Sequence, residues 1–102
     1  VHHLPDFPLP VHYLPPVAAA LAELGLIPRE TTQPRVVYSF LRALFTFEIR
    51  ERKARRRELE RVLGPQPLAD YERQIHQLRA KYRLLRVPLR EWIETGETAE
   101  EA

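Results

Sequence analysis

The sequence has no cysteine, three glycines, a single serine (Ser39) and only two aspartates, Asp6 and Asp70. Without cysteine there is no disulfide framework, no thiolate metal site and no cysteine nucleophile. The few glycines are scattered, so no glycine-rich phosphate loop can form. Ser39 falls inside a helical pattern with no histidine partner in view, and Asp70 is accounted for by the positive end of a helix. Long apolar runs are also missing. Residues 36–49 form the longest apolar-rich stretch, which is too short for a bilayer and is interrupted by Arg42 and Glu48. The first residues lack the basic region and apolar run of a secretory signal. A soluble, cytoplasmic protein is the expectation. Lysine is scarce as well, with only Lys53 and Lys81 among 16 basic residues. An arginine bias of this kind suits bidentate contacts with acidic groups, although a GC-rich genome gives the same bias.

What is present describes a small helical protein. Apolar residues make up 44% of 102 residues, enough for one domain near the lower size limit for holding a core. Five of the ten prolines (Pro5, Pro8, Pro10, Pro15, Pro16) fall in the first sixteen residues. Charge is segregated. Residues 50–61 carry seven cations against Glu51, Glu58 and Glu60, whereas residues 91–102 carry five glutamates and no base. The net charge of +2 therefore understates the local fields.

Leu68, Tyr71, Ile75, Leu78, Tyr82, Leu85, Leu89 and Trp92 are spaced by alternating threes and fours, the seam of a helix packed lengthwise on another, as in a coiled coil. Read backwards from Pro65, Val62, Leu59, Arg55, Arg52, Glu48, Phe45, Leu41 and Tyr38 mirror that seam, each facing pair adding to 130 in residue number. This pattern predicts an all-α fold. Its centre is an antiparallel helical hairpin of helices at about 34–63 and 67–87, with a kink or break at Pro88. A short helix at about 15–25, opened by Pro15 and Pro16 and closed by Gly25, is expected on the hairpin's open end. Residues 1–13 read as an extended proline-rich arm, 14–94 as the helical domain, and 95–102 as an acidic, disordered tail.

The expected function is protein–protein interaction, as a small accessory or assembly subunit. On the first half of helix 2, apolar residues cover more arc than one hairpin partner hides, and the arm carries large apolar side chains with no element of its own. Phe7, Leu9, Tyr13, Val36, Phe40, Leu44 and Phe47 are the candidate contacts, the partner being a second copy (a homo-oligomer) or a larger protein. The alternative is a basic nucleic-acid-binding helix using Arg52, Lys53, Arg55, Arg56 and Arg57 with the arginine-rich side of helix 3. Against it, no aromatic residue accompanies that run to stack on bases. In the middle of the seam, Glu48, Arg52, Arg55 and Tyr82 form a polar patch. There a Glu48–Arg52 pair with a Tyr82 hydrogen bond is the simple reading, and a site for an acidic ligand the sharper one. Glu48, Arg52, Tyr82 and Arg42 are the only grouping that suggests catalysis, and no enzyme is expected. His2, His3, His12 and His76 lack a fixed third and fourth ligand, so neither metal nor cofactor is expected.

Overall fold

The computed structural model describes residues 4–94. The acidic run 95–102 and the pair His2 and His3 lie outside the described residues. Three α-helices dominate: α1, Pro15–Glu23; α2, Pro34–Leu63; and α3, Leu68–Lys81. Two 3-10 turns follow, Arg83–Arg86 and Leu89–Glu91, and the one extended pairing among the described residues is an antiparallel bridge between Tyr13 and Ile93. The fold is all-α. No described helix is long and apolar enough to cross a membrane.

The chain divides into two compact units. The terminal unit takes the chain up to Phe40 together with the chain from Leu84 onward, and the two-helix unit is Leu41–Arg83.

In the terminal unit, α1 opens on Pro15 and Pro16, where a missing N–H costs nothing. It closes with Gly25 at φ +82°, a conformation that favours glycine. The Leu26 N–H donates to the Leu21 carbonyl (2.9 Å) and the Gly25 N–H to Ala22 (2.9 Å), which together satisfy the last helical carbonyls. Val17, Ala20 and Leu21 are buried, while Ala18 and Leu24 are half-buried at the edge of that face.

The proline-rich arm is tied to this unit along its length. The Gln33 side chain both accepts from the Phe7 N–H (2.9 Å) and donates to the Phe7 carbonyl (2.7 Å). The Val11 N–H donates to Glu30 (2.8 Å), the Tyr13 hydroxyl to the Thr32 carbonyl (2.7 Å) and the Leu14 N–H to Trp92 (2.9 Å). Asp6 pairs with Arg35. These bonds satisfy backbone groups that a proline-rich segment cannot pair within itself. At the centre lies Trp92, with no exposed surface, its indole N–H donating to the Val87 carbonyl at 3.1 Å. The Tyr38 ring stands 6.4 Å from it, and Val11, Val37, Leu84, Leu89 and Ile93 complete the core.

In the two-helix unit, α2 ends at Gly64 (φ +89°), and Pro65 and Pro67 prevent its continuation. Early residues of α2 meet late residues of α3, so the helices run antiparallel. Phe45 lies edge-on to Tyr82 (5.7 Å), Glu48 bonds Tyr82 and Lys81, and Arg56 covers the Tyr71 ring (5.2 Å).

One boundary differs from the sequence reading. Helix α3 stops at Lys81 rather than near residue 87, and Tyr82 already has non-helical angles (φ −106°, ψ 39°). Pro88 excludes helical geometry at Val87, and the intervening residues tighten into a 3-10 turn. The switch buries Leu84 and leaves Leu85 half-exposed, the reverse of what a continued seam requires.

Candidate functional site

The terminal unit carries an open apolar cleft of about 260 Å³ lined by Leu26, Ile27, Pro28, Thr32, Val36, Val37 and Phe40. Its shape follows from two local facts. The α1 C-terminal motif ends the helix just before Leu26–Pro28, where Ile27 is exposed, and Val36 and Phe40 sit four residues apart on one face of α2. Ile27 is 86% exposed, and Val36 and Phe40 are each 50% exposed. Single exposed apolar residues are ordinary, but three large ones converging on one cleft are not.

The other candidate contacts separate. Val36 and Phe40 line this cleft, whereas Phe7 is half-buried in a second, larger cleft of about 560 Å³ with Leu4, Tyr38 and Val87. Tyr13 is engaged through its hydroxyl, whose pKa burial pushes up to about 12. Leu9 is exposed. On the two-helix unit, Leu44 is half-buried and Phe47 is 60% exposed.

The polar patch of the seam is a satisfied network. The Glu48 carboxylate accepts from the Tyr82 hydroxyl and from Lys81 Nζ (3.0 Å), with Arg52 at 3.7 Å. Burial opposes ionisation of Glu48. The two hydrogen bonds and the charges of Lys81 and Arg52 outweigh it and hold the carboxyl below the usual carboxylate range. Burial, the hydrogen bond to Glu48 and that residue's charge push the Tyr82 phenol up to about 12, against the opposing effect of Arg52. Near neutral pH, then, Glu48 stays ionised and Tyr82 stays protonated. Arg42 is exposed on α2 and makes no bond within this network.

The basic run divides by partner. Arg52 and Arg56 are half-buried, Arg52 beside Glu48 and Glu51 and Arg56 beside Glu60, with Arg56 also reaching the Gln66 and Pro67 carbonyls. Arg61 pairs with Glu58. Arg50, Lys53, Arg55 and Arg57 are exposed and make no ion pair among the described residues. Arg52, Arg55 and Arg56 also line a cleft of about 120 Å³ with Gln66, Tyr71 and Gln74.

No family model matches the chain, and no curated protein or solved structure matches it either.

Lys81, Ile27, Gln66 and Gln74 are among the residues of these sites that escape the sequence reading. Lys81 faces Glu48 from the position before Tyr82, and the hairpin register could have found it. Ile27 precedes Pro28 in a short loop without periodicity, so no pattern marks its exposure. Gln66 and Gln74 are polar residues on a polar rim, and nothing in their spacing distinguishes them. His12 lies 3.3 Å from the Glu30 carboxylate and His76 is exposed.

Proposed function

We propose that the protein is a protein–protein interaction module, a small accessory or assembly subunit that docks through the apolar cleft of its terminal unit. The observation carrying this reading is the convergence of Ile27, Val36 and Phe40, all at least half exposed, on one cleft. Burying such side chains fully stabilises a contact by roughly 1.5–3 kcal/mol each, enough for three of them to anchor an interface. The floor beneath them is set by the buried Val37 and by the hydrogen-bonded end of α1, so little ordering is needed on docking. The partner that fits is an apolar segment, from a larger protein or from a second copy.

The test is site-specific photo-crosslinking in the native host, with the reactive residue at position 27 or 40 and at position 57 as control. A discrete adduct from the first two positions and none from the third is expected. Adducts from position 57 alone would overturn the reading. Light scattering on the purified protein separates the occupants: a mass twice the 12.0 kDa of the chain identifies a second copy.

A second reading has one observation in its favour. Arg50, Lys53 and Arg57 follow helical spacing on the side of α2 away from α3 and carry no partner among the described residues. Such a stripe suits a phosphate backbone, and neutralising its charges would flatten the salt dependence of nucleic-acid binding. Arg52 and Arg56 lie on the α3 side of α2, beside Glu48 and Tyr71, and drop out of that surface.

A further inference from the structure

The two-helix unit holds a second feature, independent of the docking reading. Between the end of α2 and the start of α3, Arg52, Arg55 and Arg56 border one cleft of about 120 Å³. Gln66, Tyr71 and Gln74 border it from the other side. The geometry points to a binding site for a small phosphate-bearing ligand, free phosphate or a phosphomonoester, in this cleft.

Three arguments converge on that chemistry. The cleft has unused donors: Arg55 makes no ion pair, and neither the Gln74 amide nor the Tyr71 hydroxyl has a hydrogen-bond partner among the described residues. The partners of the other two arginines leave capacity over. Arg52 stands 3.7 Å from Glu48 and 3.9 Å from Glu51, and Arg56 stands 3.3 Å from Glu60 and 3.3–3.4 Å from two carbonyls. Charge-assisted bonds at full strength close to about 2.7–2.9 Å, and a guanidinium offers five donors. The third argument is the end of α3. Its N-terminus borders the cleft at Pro67, and no side chain caps it, so its backbone donors and the positive end of its dipole add to the arginines. Asp70 also lines the cleft, but Arg73 already holds its carboxylate at 3.0 Å.

Phosphate suits this set better than a carboxylate does. A carboxylate has two oxygens and one charge, which a single guanidinium fork satisfies. A phosphomonoester brings three acceptor oxygens and up to two charges, matching several forks and the Gln74 amide, while the Gln66 amide already donates to the Gly64 and Pro65 carbonyls. Arg56, placed over the Tyr71 ring at 5.2 Å and bonded to the Gln66 and Pro67 carbonyls, is oriented before any ligand arrives.

The experiment follows the side-chain N–H resonances of the full chain by NMR while inorganic phosphate is titrated at fixed ionic strength. Saturable shifts at Arg55 Nε–H and the Gln74 amide are expected. Arg55→Gln should weaken binding about tenfold, the loss of one hydrogen bond to a charged group, while Arg57→Gln leaves it unchanged. Both residues are exposed, and an unchanged far-ultraviolet spectrum checks that each variant folds. A nucleoside monophosphate distinguishes the sources: tighter binding at the same resonances identifies a phosphomonoester, and equal binding identifies free phosphate. Shifts that fail to saturate, or equal weakening by both variants, would overturn the site. So would a single-stranded oligonucleotide that moves Arg50, Lys53 and Arg57 while phosphate leaves Arg55 and Gln74 still.

Discussion

The two units hold themselves together differently. In the terminal unit Val11, Val17, Leu21, Leu84, Leu89, Trp92 and Ile93 are buried, contributed by the arm, a helix and the 3-10 turns. In the two-helix unit the buried apolar residues are Leu41, Leu78 and Tyr82, and much of the remaining contact is polar: Glu48 with Tyr82 and Lys81, and Arg56 over Tyr71. Local pairs one turn apart, such as Arg56–Glu60 and Arg73–Asp70, add only a few tenths of a kcal/mol each. A single helix, α2, runs through both units, and its sequence changes character along its length, apolar up to Ile49 and charged from Arg50 onward. Stability from burial is therefore concentrated in the terminal unit, and the unit with the polar seam keeps side chains available for other work.

The comparison is broken most directly by truncating one core residue in each unit. Trp92→Ala removes the side chain with no exposed surface, its hydrogen bond to Val87 and its contact with Tyr38. A loss of about 3–5 kcal/mol is expected in urea unfolding. Leu78→Ala should cost about 2–3 kcal/mol, because the exposed residues flanking Leu78 on α3 leave room for the site to relax. If Leu78→Ala proves the more damaging, the concentration of stability in the terminal unit is wrong.

Next in size is the polar seam, which Tyr82→Phe tests without changing its packing. Loss of the hydroxyl should cost about 1–2 kcal/mol, the low end for a hydrogen bond to a charged group, since Lys81 and Arg52 still serve Glu48. The pH dependence carries a sign. Glu48 has a lowered pKa in the folded protein, so its contribution is present above the ordinary carboxylate range and is lost as pH falls through the folded value. Tyr82 has a raised one, so its contribution is present below 10.0 and is lost as pH rises towards about 12. Tyr82→Phe should shrink both the acid and the alkaline loss, and thermal unfolding across pH reads each limb. Tyr13, raised to about 12 by burial in the other unit, keeps its own alkaline loss in that variant.

Much of this was legible in the residues. Prolines at helix starts and Gly25 and Gly64 at helix ends mark α1 and α2, because backbone chemistry at those positions leaves few choices. The polar middle of the seam, with Glu48 between Arg52 and Tyr82, follows from helical spacing alone. The early end of α3 was hidden: a 3-10 turn and an α-helix both bring apolar residues round every three or four positions, so Leu85, Leu89 and Trp92 mimic a continued helix. Exposure at Ile27 and the free donors of Gln74 depend on tertiary placement, which no local pattern encodes.

The anchoring of the arm was the least legible feature, and its effect on stability matches that of the polar seam. Gln33 reaches across 26 positions to hold both backbone groups of Phe7, a bond between side chain and main chain that leaves no periodicity behind. Gln33→Ala removes both bonds at a half-buried site, and at about 0.5–1.5 kcal/mol each the total should fall near 1–2 kcal/mol, with the freed groups partly rehydrated. The more telling readout is local. Hydrogen exchange at the Phe7 amide should accelerate strongly, while the Val11 amide, held by Glu30, stays protected. If Val11 loses protection together with Phe7, the arm detaches as one piece, and the buried Val11 side chain is held by Gln33 rather than by the core around it.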